Sequence, residues 1–137
     1  MTRAPWLIDK SALVRMPDSR DVDEWNNRVR RGLVRIATVT LLEVGYSARS
    51  AEGHRSALTT APIALMPVEH ATPAAERRAV EVQGMLAARG HHRGPSVPDL
   101  IIAAVAEHAR LTVLHVDRDF ELIAEVTGQP VARLAVS

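Results

Sequence analysis

Cysteine is absent from the sequence, and lysine and aromatic residues are scarce. Without cysteine the chain can form no disulfide, no thiolate metal site and no cysteine nucleophile. Its aromatic residues are two Trp, one Tyr and one Phe, too few for base stacking to be the main way of binding nucleic acid. Of the 17 basic residues only Lys10 is a lysine, and the others are arginines, whose guanidinium groups suit bidentate contacts with phosphate.

Long apolar runs are also missing. The sequence begins "MTRAPWLID", which lacks the apolar core of a secretion signal, and no later run approaches the length of a membrane span. We therefore expect a cytoplasmic protein that makes no contact with membranes. The formal net charge of +1 excludes a general electrostatic attraction to nucleic acid, so any such binding requires a local basic patch.

What the sequence does contain is the composition and pattern of one α/β domain over residues 1–137. Hydrophobic residues make up 47% and charged residues 24%, as in ordinary globular proteins. Short apolar segments alternate with helical periodicity. The segments predict strands at 6–8, 33–37, 63–68, 112–116 and 131–136, and helices at 21–32, 40–50, 72–89, 96–109 and 118–127. Apolar strands separated by helices predict a mainly parallel sheet of about five strands, with helices on both faces.

Five acidic residues fall where such a fold binds ligands, at the carboxyl ends of strands and the first turns of the following helices. Asp9 and Asp117 directly follow predicted strands, whereas Glu43, Asp99 and Asp119 are expected in first turns of helices. Asp99 heads a helix in which every residue from 100 to 106 is apolar, so its carboxylate is expected to be buried.

Helix capping explains each acid taken alone. "SVPD" places Asp99 three residues after Ser96, and "TLLE" places Glu43 three residues after Thr40, both at the spacing of a capping box. Asp9 and Asp117 are suited to be simple N-caps. Taken together, carboxylates that converge at one sheet edge would repel each other and have raised pKa values. A hard divalent cation such as Mg²⁺ or Mn²⁺ would stabilise them, because such ions prefer oxygen ligands.

Four segments, taken in order, resemble the PIN-domain nucleases and, more closely, the VapC-type toxins of bacterial toxin–antitoxin pairs. They are "LIDKSAL" (7–13), "TLLEVGYSAR" (40–49), "PDLIIAAVA" (98–106) and "LHVDRDFELIA" (114–124). The resemblance covers essentially the whole chain. It implies a single PIN domain with a three-layer sandwich fold, a Mg²⁺-dependent endoribonuclease activity for which Mn²⁺ can substitute, a VapB-type antitoxin partner and a homodimer.

The resemblance also implies roles for individual residues. An acidic quartet is formed by Asp9, Glu43, Asp99 and Asp117, with Asp9 and Asp99 as the principal metal ligands. Asp119 matches a second acid often found after the fourth, so that either Asp117 or Asp119 could face the metal. Ser11 matches a hydroxyl residue that orients the first carboxylate or a bound water. Lys10 departs from the small hydroxyl residue of many relatives and is a candidate contact for RNA phosphate.

A second candidate RNA contact is the glycine-bounded segment "ARGHHRG" at 88–94. It is expected to form a loop beside the site, where Arg89, His92 and Arg93 could contact phosphates. An ordinary solvated loop explains the same composition equally well.

Three other functions compete with the nuclease. A phosphoacceptor receiver domain requires a lysine after a late strand, which this chain does not have. A phosphatase with a D-x-D nucleophile could use Asp117 and Asp119, but such enzymes carry this pair after their first strand. A non-enzymatic binding module would use the acids only as caps. Mg²⁺-dependent cleavage distinguishes this module from the nuclease.

Overall fold

The computed structural model describes residues 5–136. Residues 1–4 and 137, which the single-domain prediction includes, lie outside the described residues. Five strands form one sheet in the order β3-β2-β1-β4-β5, and each neighbouring pair is parallel. The strands are β1 (Trp6–Ile8), β2 (Val34–Ala37), β3 (Val68–Glu69), β4 (Thr112–His115) and β5 (Val131–Arg133). The predicted parallel α/β class is confirmed.

Seven helices connect and cover these strands. They are α1 (Lys10–Arg15), α2 (Val22–Arg30), α3 (Thr38–Tyr46), α4 (Ala51–Thr59), α5 (Pro73–Ala87), α6 (Val97–Ala109) and α7 (Arg118–Thr127). Short 3₁₀ turns lie at Met16–Asp18 and Ile63–Leu65. Gly32 follows α2 and Gly128 follows α7, and each has a φ of +74°, a conformation that glycine adopts without strain.

The sheet is covered on both faces because successive side chains of its central strands point to opposite sides. Leu7 and Val113 belong to the core shared with α5, α6 and α7. Ile8 and Leu114 belong to the core shared with α1 and α2. The apolar helix α6 is buried as predicted, since Leu100 and residues 102–106 are buried and Ile101 is half-buried. The molecule is therefore a three-layer sandwich.

Three predicted elements differ from the structure. The last strand, predicted over 131–136, ends at Arg133. The helix predicted over 40–50 begins two residues earlier, directly after β2, and ends at Tyr46. A separate helix, α4, follows it and was not predicted, because it has no buried residue and hence no clear apolar stripe. The strand predicted at 63–68 is a 3₁₀ turn followed by the two-residue β3. Pro67 lies between them and has no N–H to donate to a sheet.

Among residues 5–136, no helix is both long and apolar enough to cross a membrane.

The stability of the core between α6 and the sheet should be sensitive to truncation of its buried side chains. Ile102 is fully buried in α6, whereas Val97 of the same helix is 64% exposed. We expect Ile102→Ala to lower the free energy of unfolding by about 2–5 kcal/mol through lost burial and a residual cavity. Val97→Ala is the control and should change it by less than about 0.5 kcal/mol. Urea denaturation measures both, and equal effects would contradict this assignment of the core.

Candidate metal centre

Three carboxylates meet at the carboxyl end of the sheet. Asp117 follows β4 and begins α7, Asp119 lies in the first turn of α7, and Asp99 lies in the first turn of α6. One carboxylate oxygen of each residue lies within 4.8 Å of those of the other two. We refer to Asp99, Asp117 and Asp119 as the acidic triad. The sequence left open whether Asp117 or Asp119 faces the site, and the structure brings both together.

Asp9 and Glu43 border the acidic triad. Asp9 follows the central strand β1 and is 5% exposed. Its negative charge raises the pKa values of both Asp99 and Glu43, so the three groups share one electrostatic environment. The acidic triad does not include Asp9, but the charge of Asp9 raises the pKa of Asp99 more than the charge of Asp117 does, so the pair of Asp9 and Asp99 stays a prediction. All five predicted acids nevertheless belong to this end of the sheet.

Helix capping holds three of the acids in place, and each cap uses one carboxylate oxygen. Asp9 Oδ2 accepts from the Ser11 N–H at 2.9 Å, and Asp117 Oδ1 accepts from the Asp119 N–H at 2.9 Å. Asp99 and Ser96 form a reciprocal capping box, with Asp99 Oδ2 accepting from the Ser96 N–H at 3.4 Å. The second oxygen of each of these carboxylates accepts no hydrogen bond from residues 5–136. Capping therefore leaves a free oxygen on each acid.

Glu43 is not a capping residue, contrary to one reading of the sequence. Because α3 begins at Thr38, Glu43 lies in the second turn instead of the first. Thr40 is inside the helix and fully buried, so the predicted capping box of Thr40 and Glu43 is wrong. Among the described residues, neither Thr40 Oγ1 nor Glu43 Oε1, both buried atoms, has a hydrogen-bond partner. A buried carboxylate oxygen without a donor is suited to a cation.

Burial and mutual repulsion raise the pKa values of these acids. Desolvation is the largest cause at Asp99, and with the charges of Asp9 and Asp117 it raises the pKa from 3.8 to about 6, against the opposing hydrogen bonds to Ser96. Desolvation and the charge of Asp117 raise the pKa of Asp119. Desolvation and the charge of Asp9 raise the pKa of Glu43, which Lys10 partly offsets. The repulsion expected from the sequence is present.

Ser11 and Lys10 connect the acids to neighbouring elements. Ser11 orients Asp9 through its backbone N–H, while its hydroxyl accepts from the Val116 N–H at 2.9 Å and so ties α1 to the end of β4. Lys10 Nζ donates to Ser47 Oγ at 2.6 Å, and Ser47 in turn donates to the carbonyl of Glu43 at 3.2 Å. The side chain of Lys10 therefore links the beginning of α1 to the end of α3.

The predicted loop at 88–94 begins where α5 ends and lies beside the acidic triad. A Cβ added at Gly94 would lie 3.9 Å from Asp119 Oδ1. The side chains proposed for phosphate contact, Arg89, His92 and Arg93, are all exposed.

Two features of this region were not predicted as functional. Arg118 lies between Asp117 and Asp119 in the sequence, and its positive charge partly offsets the raised pKa of Asp119. An apolar cleft of about 710 Å³ opens next to Lys10, lined largely by α1, α2 and the segment before β3, including Leu13, Val14, Val29 and Ile63. The adjacency of Arg118 to both acids is visible in the sequence, whereas the cleft depends on segments far apart along the chain.

Comparison with known proteins assigns this architecture to a family. The model of the PIN domain matches residues 6–126, most of the chain. The chain belongs to the PIN-domain family. Ribonuclease VapC2 of Mycobacterium tuberculosis (strain CDC 1551 / Oshkosh) is 60% identical over 134 residues, which cover 98% of this chain and 95% of that protein. Ribonuclease VapC21 of the same strain is 45% identical over 127 residues, covering 92% and 91%. Within the family, this PIN domain is one of the VapC ribonucleases.

Solved structures show the same fold. The DNA-bound VapBC of Salmonella typhimurium contains a chain that aligns with a TM-score of 0.76 at 22% identity, covering 96% of this PIN domain and 98% of that chain. VapBC-5 of Mycobacterium tuberculosis aligns with a TM-score of 0.67 at 23% identity, covering 98% and 100%. At these identities the likeness concerns the fold alone.

The raised pKa of Asp99 predicts a pH-dependent stability of the metal-free PIN domain. Folding favours protonated Asp99, so its stabilising contribution is complete below the unfolded pKa near 3.8 and is lost as pH rises through about 6. In chelator, Asp99→Asn should equal wild type near about pH 3 and be more stable by about 3 kcal/mol near about pH 7.5, from about two pKa units.

The amide can still accept the Ser96 hydrogen bond, so the cap is preserved in this variant. Asp23→Asn, at an exposed position in α2, is the matched control and should show no comparable pH-dependent gain. Denaturant titrations across this pH range provide the measurement. A stability difference for Asp99→Asn that does not change with pH would disprove the electrostatic account.

Proposed function

We propose that this chain is the toxin of a toxin–antitoxin pair and hydrolyses RNA phosphodiester bonds with Mg²⁺, for which Mn²⁺ can substitute. Membership of the VapC ribonucleases supports the reaction class. The observation that carries the metal dependence is the acidic triad, whose oxygens lie within 4.8 Å of one another. The proposed location is the cytoplasm.

The donor set fits a hard divalent cation. The members of the acidic triad offer only carboxylate oxygens, and the capped acids each keep one oxygen free. Glu43 Oε1 has no hydrogen-bond partner among the described residues, and burial with the charges of Asp9 and Asp117 raises the pKa of Asp99, so a cation would be stabilised next to both groups. Mg²⁺ and Mn²⁺ favour such ligands and retain several water molecules.

In the proposed mechanism, the chain's acids act as a scaffold and not as nucleophiles. Asp9 and Asp99 would be the principal ligands of the metal, together with Glu43, Asp117 and Asp119. A Mg²⁺ ion held by these carboxylates would supply Lewis-acid chemistry that makes water more acidic and offsets negative charge on the phosphate. Ser11 keeps Asp9 and the end of β4 in register through its two hydrogen bonds.

Basic residues around the site would contact the RNA backbone. Lys10 lies beside Glu43, and its ammonium group can donate to phosphate oxygen in addition to Ser47. Arg89, His92 and Arg93 are exposed on the loop next to the acidic triad. These contacts position the substrate but read no bases.

The alternative functions are less well supported. A D-x-D phosphatase would need the pair after its first strand, whereas Asp117 and Asp119 follow β4. A binding module with purely structural acids does not explain the free carboxylate oxygens or the unpartnered Glu43 Oε1. The match to VapC ribonucleases favours the nuclease over both.

The proposed partner is a VapB-type antitoxin. Structures of VapBC share this fold. The apolar cleft beside Lys10 has the character that an amphipathic peptide segment needs, namely an apolar lining at the edge of a charged site. Such a segment would cover the cleft and obstruct the acids. A homodimer is also proposed, from the family resemblance.

Cleavage in cells tests the proposed function. After brief induction, mapping of RNA 5′ ends should reveal new cleavage sites with wild type and none with Asp99→Asn, because the amide removes a negatively charged ligand of the metal. Purified wild type should lose cleavage in chelator and regain it with Mg²⁺. Asp23→Asn serves as control and should cleave like wild type. Full activity of folded Asp99→Asn would refute the assignment.

Antitoxin binding is expected to depend on the apolar cleft. Val14 lines the cleft and is 57% exposed, whereas Val80 on α5 is 72% exposed and lies outside it. Val14→Asp should weaken binding of the cognate antitoxin, because a carboxylate would be desolvated in an apolar contact. Val80→Asp should leave it unchanged. Surface-bound antitoxin and each purified toxin variant provide the affinity measurement, and equal affinities would contradict the proposed cleft.

A further inference from the structure

His115, the last residue of β4, is fully buried directly before the acidic triad. Its ring packs against Phe120 of α7, with ring centroids 5.4 Å apart. Its carbonyl accepts from the Leu134 N–H at 2.8 Å, which fixes the backbone to the segment after β5. The imidazole is therefore held from both sides, and its orientation is determined by the core.

One nitrogen of this ring has a partner and the other has none. Nδ1 accepts from the backbone N–H of Asp117 at 3.1 Å. Because Nδ1 is the acceptor, the proton of the neutral ring is on Nε2. Nε2 is buried and finds no partner among residues 5–136. A buried donor without an acceptor is unfavourable. Packing alone would be served better by an apolar side chain.

The hydrogen bond that His115 does make continues into the acidic triad. His115 Nδ1 accepts a hydrogen bond from the Asp117 N–H, and Asp117 Oδ1 accepts one from the Asp119 N–H at 2.9 Å. Two successive acids are thus oriented from a rigid strand by a chain of two hydrogen bonds. With Asp117 Oδ1 engaged in this way, its other oxygen accepts no hydrogen bond from the described residues.

We propose that His115 is a positioning residue for the metal centre, which it serves by fixing the backbone of Asp117 and thereby the relative placement of Asp117 and Asp119. This inference rests on the proposed metal-dependent function. It explains why a histidine, whose Nε2 has no partner among the described residues, lies at this buried position: its Nδ1 supplies the acceptor for the Asp117 N–H. The substitution of groups that orient metal ligands typically weakens metal binding by about 10–100-fold.

Three variants separate the acceptor from the ring. His115→Phe keeps an aromatic ring against Phe120 but removes the acceptor, and His115→Leu also removes the acceptor but leaves a smaller aliphatic side chain. His115→Asn shortens the side chain but keeps an oxygen near the position of Nδ1. Val34→Ala, a fully buried position at the amino end of β2, is the control for destabilisation away from the acids.

Calorimetric titration with Mn²⁺, accompanied by thermal melts of the metal-free proteins, provides the readout. We expect the Mn²⁺ Kd to rise about tenfold or more in His115→Phe and His115→Leu. It should stay within about threefold of wild type in His115→Asn, which keeps the acceptor that outer-shell orientation requires. Val34→Ala should melt at a lower temperature with an unchanged Kd. If one of the acceptor-free variants does not fold, the other carries the comparison.

The remaining outcomes overturn the proposal in distinguishable ways. A wild-type protein that takes up no Mn²⁺ overturns the proposed function and this inference with it. Wild-type uptake together with an unchanged Kd in the acceptor-free variants overturns only the role of His115. An equal loss of affinity in His115→Asn and His115→Phe also overturns it, because the intact imidazole, and not its acceptor, would then be responsible.

Discussion

Backbone N–H groups at the beginnings of α1, α6 and α7 donate to the carboxylates of Asp9, Asp99 and Asp117. These donors stabilise negative charge where burial and repulsion oppose it. The balance is incomplete at Asp99, whose pKa still rises to about 6. The parallel sheet makes this arrangement possible, because strands running in one direction bring the starts of the following helices to the same edge.

Capping and metal binding are compatible roles for these acids. Each cap occupies one carboxylate oxygen and fixes the side-chain rotamer, so that the second oxygen has a defined direction. A ligand held in this way loses little conformational freedom when a cation binds. Glu43 follows a different principle, since it is held by its place in the second turn of α3 and has a buried oxygen with no donor.

The sequence predicted the sheet and the site through two different signals. Apolar segments without alternation predicted parallel strands covered on both faces, and the acids after 6–8 and 112–116 predicted one common edge. Helix α4 could not be predicted in the same way, because none of its residues is buried and its position depends on α3 and the 3₁₀ turn. The start of α3 was also missed, since Ala37 caps it without a polar side chain.

Some features of the site depend on tertiary contacts that local patterns do not carry. The resemblance implied Asp9 and Asp99 as the principal pair, and the structure adds a compact group of Asp99 with Asp117 and Asp119. This grouping arises because α6 and α7 begin close together. The two contacts of the His115 ring, with Phe120 and with the Asp117 N–H, involve residues near in sequence. Its complete burial, in contrast, depends on the packing of the whole sheet.

The strand order has a consequence for biosynthesis. β1 is made first but lies at the centre of the sheet, where one of its neighbours is β4, and Ser11 bonds Val116 across 105 positions of the chain. A ribosome that has translated only as far as Pro95 has released Asp9 and Glu43 but none of the acidic triad. The acidic edge of the sheet therefore assembles only once β4 has docked beside β1, so its formation depends on contacts between distant parts of the chain.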